Sequence, residues 1–212
     1  MALTSYNEIA SRSLERIGAL SDGVFAIAMT LMVFEIRIPD PGLVYTEQDL
    51  VGALGLLTPR LVVYGLSFMT LGIFWNGQQT QLSYIARADR HLSWLYLAFL
   101  AFVALMPFST SLLGQFIDLR LALLLYWANI AVLGLIILVA WRYAIRGGLL
   151  RHDVAPEVRR LVTRRIVVAQ ALYAFGALLS FTPLGTYGSI AWIVLVQLNF
   201  AVAPRIPWLS RI

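Results

Sequence analysis

"RIGALSDGVFAIAMTLMVFEIRIP", residues 16–39, sets an apolar run hard against charge: Arg16, Ser21 and Asp22 stand at one edge, Glu35 and Arg37 at the other. Between Asp22 and Glu35 lie twelve uncharged residues. They make about 18 Å of helix at 1.5 Å per residue, against a hydrocarbon core of about 30 Å. Either the segment is no membrane span, or its charged edge is held on protein.

Composition decides between these. Of 212 residues, 60% are hydrophobic and only 13% charged, whereas a soluble domain carries about a quarter charged residues. The chain therefore reads as an all-α, polytopic membrane protein. It has no cysteine, which removes disulfides, thiolate metal sites and cysteine nucleophiles. Two histidines, His91 and His152, are too few for a histidine-rich metal or catalytic centre. No cofactor and no resident metal are expected.

Long apolar runs bounded by charge or Pro/Gly place six spans at about 17–38, 59–80, 92–116, 119–141, 162–182 and 186–203. The stretch "PDPGLVYTEQDLVGALGLLTP" (39–59) reads as a turn and a short amphipathic lead-in, with Pro59 near the first turn of the second span. The runs otherwise follow closely, so residues 1–212 form one domain. The amino-terminal "MALTSYNEIASRSLER" lacks the basic start and apolar run of a signal peptide and is expected to be retained.

All sixteen basic residues are arginine. With both termini inside, thirteen fall on inner segments and three (Arg37, Arg60 and Arg120) on outer ones. That is a positive-inside pattern for an even number of spans in a cell (inner) membrane, with both termini cytoplasmic. The net charge of +5 thus speaks of topology, and no nucleic-acid partner is expected. The loop "RYAIRGGLLRHDVAPEVRRLVTRR" (142–165) is read first as a topology determinant, with an anionic-lipid contact as the alternative.

A helical wheel separates the faces of the first span. Taking Ile27 as reference at 100° per residue, Leu20 and Phe34 lie about 20° away on opposite sides, Leu31 about 40°, and Val24 and Thr30 about 60°. Asp22 lies about 140° away. An ionisable residue in a span faces protein or water, so the stripe through Ile27 faces something else: lipid, or an axis shared with copies of the chain. The wheel leaves both open.

"RIGALSDGVFAIAMTL" resembles the signature of the transmembrane protein 175 family of potassium channels. The family pattern is an arginine, three variable residues, then phenylalanine, serine and aspartate. Arg16, Ser21 and Asp22 match it, Leu20 replaces the phenylalanine, and "FWNGQQ" (74–79) and "LMPFSTSLLG" (105–114) are similar to further family segments. The resemblance implies a homotetramer around one pore lined by the first span (about 17–38), with potassium as the permeant ion and the bilayer as its setting. It also implies a constriction at Ile27, continued by Leu31 and Phe34, and cation coordination at Thr30. Arg16, Ser21 and Asp22 are then an anchor onto neighbouring helices, with Gln78 a candidate partner; an ordinary helix cap is the plainer reading. The family usually carries histidine where Gln78 and Gln79 stand here; Gln can donate a hydrogen bond but cannot become a cation, so a charged histidine partner for the motif is lost.

Other functions find less support. A cation-coupled transporter calls for inverted repeats and charges at mid-membrane, and the span centres carry no charge. Pro107 could break the third span, but stands alone. An enzyme needs convergent titratable groups, and the acids lie at termini, loops and span edges. Gln170, Gln197, Asn199 and Asn129 are read as interhelical hydrogen-bonding groups, Trp75, Trp94, Trp192 and Trp208 as largely an aromatic belt, and His91 as a loop residue. The chain has no "TVGYG"-like filter, which predicts weaker selectivity than in filter-bearing potassium channels.

Overall fold

The computed structural model describes residues 14–36 and 39–201. Both termini, the end of the first expected span, the last residues of the sixth, and Trp208 lie outside the described residues. Within them the fold is helical: α1 Leu14–Leu31, α2 Glu47–Leu56, α3 Thr58–Tyr84, α4 Arg90–Gln115, α5 Arg120–Arg146, α6 Pro156–Leu179 and α7 Gly185–Ala201. Two 3₁₀ turns, Met32–Glu35 and Pro41–Leu43, lie between α1 and α2.

Among the described residues, four segments are long and apolar enough to cross a membrane alone: α1 with its 3₁₀ extension, α4, α5 and α6. A fifth follows if α2 and α3, bent by 46° at their junction, count as one. The polar run Asn76–Gln81 lowers the hydropathy of α3, and α7, with 17 residues, is about 26 Å long. On length and apolarity these helices therefore give four or five spans, where the sequence suggests six. The expected lead-in is a helix of its own, α2, started by a capping box: Thr46 Oγ1 accepts from the Asp49 amide, and the Asp49 carboxylate accepts from the Thr46 amide. Pro59 sits in the first turn of α3, where its missing N–H costs nothing.

The core is built on α5, whose Tyr126, Ile130, Leu133 and Trp141 are fully buried. Helices α4 and α6 flank it, α7 closes against α3 and α6, and α1 lies on α3 and α4. Pro107 does not break α4, which runs from Arg90 through Gln115. His91 is in the first turn of α4, its ring centroid 6.2 Å from that of Tyr143, so it is a helix residue and not a loop residue. Asp89 caps that helix through the Leu92 amide and also accepts from the Tyr143 hydroxyl.

Two details fix the packing. At the end of α5, Gly148 has φ +61°, which lets the Leu149 amide reach back to Ala144 O at 3.0 Å, with the Gly148 amide on Ile145 O at 3.4 Å. The chain then turns back to pair with the end of α3: Ala86 N donates to Leu149 O at 2.9 Å and Arg151 N to Tyr84 O at 2.9 Å.

The second detail is Gly176, buried in α6. A Cβ there would stand 2.7 Å from the Trp127 ring and 2.9 Å from that of Trp192. Ser189 Oγ donates to the Gly176 carbonyl at 2.7 Å and accepts from Trp127 Nε1 at 3.2 Å, and Trp192 Nε1 donates to Leu172 O at 2.9 Å, so neither ring can move without breaking polar contacts. Gly176→Ala is expected to destabilise the protein by about 1–3 kcal/mol, read as a lower unfolding temperature in detergent. Gly134→Ala should cost less, because the Cβ would meet only the mobile end of Gln170. An unchanged unfolding temperature for Gly176→Ala would contradict this packing.

Candidate functional site

Seven of the 18 residues of α1 are Ala, Leu or Met, which favour the helix. It buries Ser21, Phe25, Ala28 and Met32, a spacing of four, three and four that forms one seam. Phe25 packs on Phe99 of α4 at 6.0 Å between centroids, and Phe99 on Phe74 of α3 at 6.1 Å. Lower in the seam, Thr110 Oγ1 donates to Met32 Sδ at 3.6 Å, and Asn129 of α5 donates to Ser109 Oγ at 3.2 Å. The "LMPFSTSLLG" stretch thus props the far end of α1.

The opposite stripe is exposed. Leu20 is 47% exposed, Ile27 60%, Leu31 46% and Phe34 75%. The α-helix ends at Leu31, earlier than the expected limit of 38, because Met32–Glu35 tightens into a 3₁₀ turn; Phe34 is carried on that turn. Thr30 is also exposed. Its hydroxyl proton is directed at its own backbone, with Ala26 O and Ile27 O both 2.9 Å from Oγ1, which leaves oxygen lone pairs free to accept.

The polar end of α1 is tied to α3. Gln78, fully buried, donates through Nε2 to Ser21 Oγ at 2.8 Å. Asp22 Oδ1 accepts from Trp75 Nε1 at 2.8 Å and from Gln79 Nε2 at 2.7 Å. Residues 75, 78 and 79 fall on one face of α3 by their spacing of three and four, so adjacent Ser21 and Asp22 engage a single surface. Asp22 sits at the edge of the α1–α3 seam and remains exposed on the isolated chain. Hydrogen bonds to a carboxylate are among the stronger ones.

Arg16 does not join this set. Six residues before Asp22, it is rotated about 120° from it, and no hydrogen bond or ion pair links it to Ser21 or Asp22 among the described residues. Eleven residues before Ile27, it lies within about 20° of the exposed stripe. Trp75 and Gln79, by contrast, belong to the anchor. Trp75 reads as a belt residue in the sequence; its spacing to Gln78 and Gln79 is the signal that could have found it.

Nothing in this arrangement performs acid–base or nucleophilic chemistry. No cluster of three or more His, Cys, Asp or Glu side chains able to hold a metal occurs among the described residues. What the geometry offers is a helix fixed on one side and apolar on the other.

Comparison with known proteins places the chain among relatives. The family described as "Endosomal/lysosomal potassium channel TMEM175" matches residues 16–107, from the start of the motif through α3 to Pro107. A potassium channel of Streptomyces collinus is 33% identical over 168 residues, 76% of this chain and 77% of the relative. One of Chamaesiphon minutus is 30% identical over 175 residues, 78% and 83% of the two chains. The crystal structure of a lysosomal potassium-selective channel TMEM175 homolog from Chamaesiphon minutus superposes with a TM-score of 0.78 at 27% identity, covering 89% of this chain and 96% of that one.

Proposed function

We propose a function from one premise: the chain belongs to the TMEM175 channel family. It is a potassium channel of the cell membrane, with six spans formed by α1, the α2–α3 pair, and α4 to α7, and with both termini in the cytoplasm. Four copies surround one pore, and α1 of each lines it. The observation that carries this reading is the uncovered stripe of Leu20, Ile27, Leu31 and Phe34 on a helix whose other face is packed and hydrogen-bonded.

Four Ile27 side chains form the narrowest ring, with Leu31 and Phe34 extending it outward. An apolar ring this narrow excludes water, and a potassium ion entering it loses hydration that nothing replaces. Conduction therefore requires the ring to widen or oxygen ligands to approach. Thr30, one turn away with free lone pairs, is the nearest side chain able to supply them. Ser21 and Asp22, held by Gln78, Trp75 and Gln79, set the tilt of α1 and with it the ring diameter.

Two measurements test the reading. The detergent-purified protein should have a mass four times that of the 23.6-kDa chain once bound detergent is subtracted. Proteoliposomes should pass potassium or rubidium down a gradient with no coupled ion, whereas saturable flux strictly coupled to protons and indifferent to Ile27 would support a transporter. Reversal potentials should show potassium preferred over sodium without near-perfect exclusion, since no carbonyl filter is present. Near-perfect exclusion of sodium would refute the Ile27–Thr30 account of selectivity.

A further inference from the structure

Beside the anchor, on the next face of α3, lies a crevice that the channel mechanism does not use. Its inner part, about 90 Å³, is enclosed by α3, α5, α6 and α7 and has Gln81, Gln170 and Tyr173 in its wall. An adjoining outer part, about 290 Å³, runs along Phe68, Met69, Gly72 and Ile73 of α3. Arg165, Asn76, Ile73 and Phe200 line both parts and make them continuous. Open space exists because α3 has glycine at 72 and 77: nothing lies within 4 Å of a Cβ built at either.

The crevice is graded along its length, apolar along α3 towards Phe68 and polar where Arg165 stands. The Arg165 guanidinium rests over the Phe200 ring, 5.7 Å from its centroid, and the ion pair found among the described residues is elsewhere, between Arg151 and Asp153. Gln81 is 1% exposed; its amide donates to Ile137 O at 3.3 Å, while its Oε1 has no partner. An exposed cation thus adjoins an apolar track. An acyl chain fits the track, and a phosphate fits the cation, which arginine binds through a planar fork of donors. In the topology proposed above, Arg165 faces the cytoplasmic leaflet, where anionic lipid adds attraction.

We propose that this crevice binds one anionic phospholipid of the cytoplasmic leaflet per subunit. The phosphate sits on Arg165 and Asn76, and an acyl chain lies along Gly72 and Ile73. The site rests on the channel reading for its depth in the membrane. Its occupant touches the same turns of α3 that hold Asp22, since Asn76 neighbours Trp75 and Thr80 neighbours Gln79. Lipid binding therefore acts on the position of the pore helix.

Native mass spectrometry of the purified full-length protein, titrated with phosphatidylglycerol or phosphatidylcholine, tests this. The expected result is retention of about one phosphatidylglycerol per subunit, a loss of about tenfold in apparent affinity (roughly 1.4 kcal/mol) in Arg165→Ala, and near-normal binding in Arg87→Ala, which removes equal charge elsewhere on the same side. Gly72→Leu fills the track and should abolish retention while Arg165 remains. Equal binding of the two lipids, equal loss in Arg165→Ala and Arg87→Ala, or displacement by inorganic phosphate alone would overturn the proposal. So would a change of subunit number in Gly72→Leu, which would mean that a second copy covers the crevice. The subunit number read in the same spectra reports the channel assembly independently of lipid, so a tetramer that retains no phosphatidylglycerol counts against this site and not against the channel.

Discussion

Ile27→Asn is expected to raise resting potassium flux through proteoliposomes by about tenfold or more, equivalent to at least roughly 1.4 kcal/mol off the barrier. The barrier at an apolar ring is dehydration. Four amides there let water remain and give the ion ligands, so the closed pore leaks. Ile27 is 60% exposed on the chain and on the face opposite the packed seam, so the replacement removes little internal packing and should leave the unfolding temperature nearly unchanged. That pairing of high leak with intact stability separates a pore ring from a core position. Unaltered flux in Ile27→Asn, with assembly intact, would remove Ile27 from the ion path. Leu31→Asn should act in the same direction, and more weakly, because the ring at Ile27 stays dry.

Asp22→Ala should have the opposite profile, a loss of stability and of conductance together. The carboxylate accepts two hydrogen bonds, from Trp75 and Gln79, and bonds to a charged group contribute about 1.5–3 kcal/mol each to stability. The two share one oxygen and one helix, so their sum is not additive. We expect a loss of about 2 kcal/mol in thermal unfolding and a collapse of flux as α1 loses its tilt. Asp22→Asn keeps an acceptor oxygen and should retain much of both. Wild-type assembly and conductance in Asp22→Ala would reduce the anchor to an ordinary helix cap.

The two predictions divide along the same line as the legibility of the chain. Periodicity alone separates the Ile27 stripe from Asp22, since both lie on one helix and 100° per residue fixes their angle. The helical character of the chain follows from long apolar runs for the same local reason. Partnerships across helices are harder. Asp22 meets Trp75 and Gln79 across more than fifty residues of chain, and that register depends on how α1 and α3 pack. A tryptophan near a span end has a ready explanation in the membrane interface, which hides its role. The motif encourages Arg16 to be grouped with Ser21 and Asp22, yet a spacing of six turns it to another side of the helix. The junction of α2 and α3 is marked in the sequence by Pro59, but its 46° bend is not.

The pairing of the loop after α5 with the end of α3 has a mechanical consequence. Both connections, Ala86 to Leu149 and Arg151 to Tyr84, are made by backbone atoms, and the Arg151 guanidinium adds a longer bond to Ser83 O at 3.3 Å. His152 and Asp153 can be exchanged without removing either backbone bond. Any load on the loop passes as traction to the helix that carries Trp75, Gln78 and Gln79. Only changes to the main chain, such as proline at 86 or 151 or an altered loop length, would cut that tether.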